Sequence, residues 1–187
     1  MDNGMTAVLG VFAGIYLIFL IALIAWGIAA IIANVKLFEK AGVEGWKAII
    51  PFYNTIKISE IATGKKTLGI LWIALYAVAI VFYFMQISAS ILRSSSDYGP
   101  VLIFALLYWL FILGVSVVSC VMYFKFAKAY GKSDLWCVLM IFLSAILIIA
   151  MGFDKDLKYI GPNGVPSDQY VPDNYNYNNN NNYYKNY

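Results

Sequence analysis

Residues 7–35 read AVLGVFAGIYLIFLIALIAWGIAAIIANV, 29 residues with no Asp, Glu, Lys or Arg among them. About 20 apolar residues in a helix cross the roughly 30 Å hydrocarbon core of a bilayer. Hydrocarbon offers the backbone no partners, so the run must satisfy its own N–H and C=O groups, and a helix does so. This predicts a membrane span, long enough to tilt or to project into the headgroup layer. Its leader, Met1-Asp2-Asn3, has no basic side chain, and its apolar stretch exceeds a signal-peptide core, so a retained span is expected. Three more charge-free runs follow, at 68–92, 100–124 and 135–153, the last being the shortest. Together they predict an all-α, four-span transmembrane helix bundle over residues 1–152, then a polar tail over 153–187.

Composition points the same way. Hydrophobic residues make up 62% of the 187-residue chain and charged residues 12%. Soluble domains run at roughly 45–50% and about 25%. The net charge of +3 is too small to suggest nucleic-acid binding. There is no histidine, and Cys120 and Cys137 are the two cysteines. That excludes a His-based zinc site, a His-ligated haem, a four-cysteine metal site and a Ser-His-Asp triad. A Ser–Lys hydrolase needs a serine within reach of a neutral lysine. Ser59 and Lys57 are two residues apart and would not face each other on a helix. The expectation is a protein that is not an enzyme, with no catalytic residue, metal or cofactor. Both cysteines fall near the lysine-rich ends of their spans, where free packed thiols are expected.

The lysines orient the spans. Lys36, Lys40, Lys47, Lys57, Lys65 and Lys66 lie between the first and second runs, and Lys125, Lys128 and Lys132 between the third and fourth. Arg93, Lys155, Lys158 and Lys185 remain for the other side of a four-span chain. Nine against four puts the lysine-rich connections in the cytoplasm and both termini outside the cytoplasm. The connection at 93–100 reads as a tight polar hairpin, with Pro100 in the first turn of the third span. Gly131 suits a helix C′ position, Ser133 an N-cap, and Asp134 the positive end of the last helix.

The connection between the first two spans is the most distinctive stretch. Residues 41–54 read AGVEGWKAIIPFYN. Trp46, Ile49, Ile50, Tyr53 and Ile56 recur at helical spacing, and Pro51 forbids a continuous helix through them. Asn54 or Thr55 could cap a second short helix ending near Gly64. This predicts a helix–break–helix connector at the inner membrane interface, with Trp46 and Tyr53 in the headgroup belt. Gly42, Gly45, Trp46, Pro51, Tyr53 and Asn54 are its candidate interaction residues. The stretch resembles a signature of a prokaryotic family of small multi-pass membrane proteins of unknown function. Residues 127–133, AKAYGKS, look like a second signature of that family. The resemblance covers roughly 15–152. It implies a multi-pass membrane fold and supplies no activity or catalytic residue.

Inside the spans, Gln86 is the only carboxamide well within a run, and a buried amide should find a partner on another helix. It joins the candidate interaction residues. Gly10, Gly14, Ala22, Ala25, Ala29 and Ala33 give the first span a small-residue surface suited to close helix packing. From Asp168 onward asparagine and tyrosine dominate, and the composition predicts disorder. The expected partners are membrane lipids, a second copy of the chain or another membrane protein, and no nucleic acid. The functional expectation is a non-enzymatic interaction or assembly component of the cell membrane. A small oligomeric pore or transporter is the alternative.

Overall fold

The computed structural model describes residues 3–92 and 98–166. The expected turn at 93–97 and the Asn/Tyr-rich tail from 168 lie outside the described residues. The fold is an all-α bundle. Helix α1 covers Asn3–Lys40, α2 Tyr53–Thr63, α3 Thr67–Leu92, α4 Gly99–Ala129 and α5 Asp134–Phe153, with short 3-10 turns at Gly45–Ala48 and Pro162–Gly164. By length and composition α1, α3, α4 and α5 could each cross a membrane. This is a multi-pass membrane protein, as the four apolar runs predict.

The ends of these helices follow local chemistry. Helix α1 closes with Gly42 at φ +72. The Gly42 N–H donates to Glu39 O and the Val43 N–H to Phe38 O, the paired bonds of a Schellman cap. Helix α4 closes the same way, with Gly131 at φ +69 and the N–H groups of Gly131 and Lys132 donating to Lys128 O and Ala127 O. Gly42 and Gly131, one in each quoted stretch, are thus helix stops. Ser133 has the extended backbone of an N-cap, but its hydroxyl makes no capping bond.

Helices α3 and α4 pair antiparallel. Trp72 Nε1 donates to Ser119 Oγ at 2.8 Å, the Phe82 and Phe111 rings stack at 5.5 Å, and Tyr83 meets Tyr108 at 5.6 Å. Helix α1 meets α5 where Gly152 lies on Ala33. A β-carbon added there would come 2.5 Å from the Ala33 Cα. Every residue of α1 from 8 to 28 is exposed among the described residues. The small residues expected to form a packing stripe divide accordingly. Ala33 is fully buried, while a β-carbon added at Gly10 or Gly14 would meet no neighbour within 4 Å.

The buried core sits at one end. Leu37 and Phe38 of α1, Ile58 and Ile61 of α2, Phe126 of α4, and Met140 and Met151 of α5 belong to one cluster. Helix α5 reaches this core with both of its halves because it is not straight. Leu143 leaves the helical region, with φ −118 and ψ 29. The side chains of Lys132 and Asp154, which flank the two ends of α5, form an ion pair at 3.3 Å. Twenty helical residues extended straight would hold those ends about 30 Å apart. The two halves therefore fold back toward each other.

Candidate functional site

The candidate site is built on the lysine-rich end, around the connector between α1 and α2. Gly45 starts the 3-10 turn against α1, where an added β-carbon would meet Val35 Cγ1 at 2.7 Å and Glu39 Oε1 at 2.8 Å. Gly45 and Ala48 are buried, and the turn aims Trp46 outward, 55% exposed. Trp46 Nε1 donates to Glu44 Oε2 at 2.6 Å, and Lys47 Nζ reaches Glu44 Oε1 at 3.2 Å. The Trp46 hydrogen bond first, then Lys47, holds the Glu44 carboxyl below its usual range.

Pro51 breaks the chain as expected, but by a different device. The Tyr53 N–H donates to Pro51 O at 2.7 Å across Phe52, whose φ is 64 and ψ −44. This is a γ-turn with positive φ at its centre, a rare and strained geometry. It turns Ile49, Ile50, Phe52 and Tyr53 outward as one exposed ridge beside Trp46. The expected helical stripe is therefore a ridge on turns, because the segment before Pro51 forms only a single 3-10 turn.

Two capping expectations are corrected. Phe52 holds the N-cap position of α2 without a side-chain capping bond, and Asn54 lies inside the first turn. There the Asn54 N–H bonds to Ile50 O at 2.9 Å, while its side-chain Oδ1 is buried without a partner. Thr55 follows it within the helix rather than capping it. Helix α2 ends at Gly64 in the left-handed conformation, as expected. Ser59, tested above as a nucleophile, is fully buried and donates to Lys65 O at 2.7 Å.

Beneath the ridge, a hydrogen-bond network joins four segments. Tyr130 OH donates to Leu37 O at 2.6 Å, and Tyr159 OH donates to Ile61 O at 2.9 Å. The two tyrosine rings meet edge to face at 5.5 Å. Burial, with Tyr159 adding to it, pushes the Tyr130 phenol well above its usual value, so it stays protonated and donates. Lys40 Nζ donates to Met151 O and Asp154 O, carbonyls at the negative end of α5. The Ile160 N–H donates to Ala129 O at 2.9 Å, tying residues 154–164 to the end of α4.

The same end carries lysines laid over aromatic rings. Lys36 lies 4.2 Å from the Phe153 ring centroid, Lys132 4.8 Å from Trp136, and Lys47 and Lys57 5.8 Å from Trp46 and Tyr53. Cations on aromatic faces suit a headgroup boundary, where ring and ammonium each find their own medium.

The structure brings Gly42, Gly45, Trp46, Pro51, Tyr53 and Asn54 together on the connector. It does not bring Gln86 to them. Gln86 is half-buried on α3, 19 residues and about 28 Å of helix from Thr67. The Ser90 hydroxyl bonds to its backbone carbonyl, and among the described residues the interhelical polar bond of α3 belongs to Trp72. Sequence reasoning missed Phe52, Lys40, Tyr130, Asp154 and Tyr159. Tyr130 stood inside the second quoted stretch, and Phe52 inside the first. Among the described residues, no group of three or more His, Cys, Asp or Glu is placed to hold a metal.

A family described as a family of unknown function (DUF5684) matches residues 102–162. That range takes in nearly all of α4, all of α5 and the segment tied to Ala129. It contains the 127–133 stretch and excludes 41–54. No curated protein matches the chain. No solved structure matches it. Over its α4–α5 unit, then, this multi-pass membrane protein is similar to a family whose function is itself unknown.

Proposed function

We propose that the chain is a non-enzymatic interaction or assembly component of a prokaryotic cell membrane, working through the connector ridge at the cytoplasmic boundary. The observation that carries the reading is the contrast across the connector. Gly45, Ala48, Ile58 and Ile61 anchor it to the bundle, while Trp46, Ile49, Ile50, Phe52 and Tyr53 face away from the chain. A strained γ-turn is retained where the surrounding structure over-determines it, and such strain clusters at functional sites. Aromatic residues displayed on a rigid base are also the residue types that dominate protein interfaces. The lysine bias supports the cytoplasmic placement of this face. Lipids surround the apolar helices, and the partner engaged by the ridge is a membrane protein or a second copy.

The test is a photoreactive side chain at Ile49, activated in native membranes without overexpression. A discrete protein adduct is expected. Adducts to lipid alone would reduce the ridge to an anchor and overturn the interaction reading. Purified protein in liposomes should pass no solute, and reproducible flux would favour a pore or transporter instead.

A further inference from the structure

We propose that α5 is a re-entrant hairpin: it enters the membrane from the lysine-rich side, turns near Leu143, and leaves on the side it entered. The geometry forces its ends together. Lys132 precedes α5 and Asp154 follows it, and they pair at 3.3 Å. Lys40, at the end of α1, donates to Met151 O and Asp154 O. Ile160 and Gly161 donate to Ala129 O, at the end of α4, and Tyr159 donates to Ile61 O of α2. Five segments thus meet at one end of the bundle: the ends of α1 and α4, helix α2, and both ends of α5. A straight α5 would leave its far end about 30 Å away.

The dimensions fit. Each arm has nine or ten residues, about 14 Å of helix, or half of a roughly 30 Å hydrocarbon core. The tip stays apolar, with Phe142 78% exposed beside Leu143. Only Leu143 departs from helical backbone geometry, so few backbone groups are released at the turn.

The distribution of charge along the sequence agrees. With α5 crossing, the basic residues divide nine to four. With α5 re-entrant, residues 154 onward join the connector. Lys36, Lys40, Lys47, Lys57, Lys65, Lys66, Lys125, Lys128, Lys132, Lys155, Lys158 and Lys185 then share one side, and Arg93 alone stands on the other. Twelve to one is a far stronger cytoplasmic bias. The termini fall on opposite sides, and the chain after Phe153 starts out beside the connector.

Cysteine labelling in the full chain, with Cys120 and Cys137 replaced by alanine, tests this. Single cysteines at Lys47, Lys158 and Ser96 are exposed to an impermeant thiol reagent in intact cells and in inverted vesicles. The cysteines at 47 and 158 should be labelled together, in the vesicles, and that at 96 in cells. Labelling of 158 together with 96 would overturn the proposal. A second measurement spares the native cysteines. A reporter fused after Tyr187, active only in the cytoplasm, should be active, and an inactive reporter on an inserted, full-length chain would overturn it. Finally, Lys132→Cys with Asp154→Cys should be joined within one chain by a bifunctional thiol reagent of about 10 Å reach, since the ion pair brings the side chains together without fixing disulfide geometry. No cross-link by that reagent, with both thiols reactive, would mean α5 stands straight across the membrane, its ends about 30 Å apart.

Discussion

Phe52 is the residue where backbone and side chain make opposite demands. A non-glycine residue held at φ 64 and ψ −44 costs on the order of 1–3 kcal/mol. Glycine adopts positive φ freely. Replacing Phe52 with glycine should therefore leave the thermal stability of the detergent-solubilised protein unchanged or higher, by up to about 1 kcal/mol after its greater unfolded-state entropy is counted. The same variant should lose photo-adducts formed from Ile49, because the ridge loses its central ring. A fall in stability would mean that the ring packs on the bundle. Two positions before the ridge, Glu44 gives a pH signature. Its carboxyl is lowered first by the Trp46 hydrogen bond and then by Lys47. The Trp46 tether is thus fully present above the ordinary glutamate value and is lost as pH falls through the lowered one. With Trp26, Trp72, Trp109 and Trp136 changed to phenylalanine, Trp46 fluorescence should show a single acid transition below the ordinary glutamate range. Glu44→Gln should abolish that transition.

Two glycines in apolar helices separate packing from simple exposure. A methyl group at Gly152 would run into the Ala33 backbone, whereas one at Gly14 meets nothing within 4 Å. Gly152→Ala should destabilise the bundle by about 1–3 kcal/mol, the usual cost of overpacking. Gly14→Ala should be neutral or slightly stabilising, within about 1 kcal/mol. Thermal melts in one detergent check both. If Gly14→Ala instead dissociates an oligomer, a second copy packs on outer α1. The limits of α3 and α5 were legible in the sequence, whereas α1 and α4 run on to Lys40 and Ala129, past the ends expected at 35 and 124. The runs at 68–92 and 135–153 differ by one residue at their starts from Thr67–Leu92 and Asp134–Phe153. Charges and glycines mark those ends, so local chemistry suffices. The fold in α5 was not legible. A charge-free run looks the same straight or doubled, and no proline or glycine marks Leu143. The groups that draw its ends together, on Lys40, Lys132, Asp154 and Tyr159, are scattered along the chain. In the connector, Pro51 announced a break. Which neighbour would take the strained φ depends on how Gly45 and Ile58 fit the bundle, and spacing carries no such information.

At the scale of the molecule, weight and wetting are unevenly shared. The outer portion of α1 is exposed from residue 8 to residue 28, and the core gathers at the lysine-rich end, where α2 and residues 154–164 close over it. Those closing residues bear on how the protein is made. While a ribosome is still extending the chain, α5 emerges as a charge-free run of 19 residues behind Asp134, and nothing yet opposes its passage through an insertion machine. Asp154, Tyr159 and Ile160 come later and complete the closure. A chain stopped after Phe153 should therefore thread α5 fully across the membrane, delivering a fused reporter to the far side. A chain stopped after Pro166 should hold the reporter beside the connector. The side on which this protein ends would then be decided during synthesis, by about a dozen residues that follow the last apolar segment.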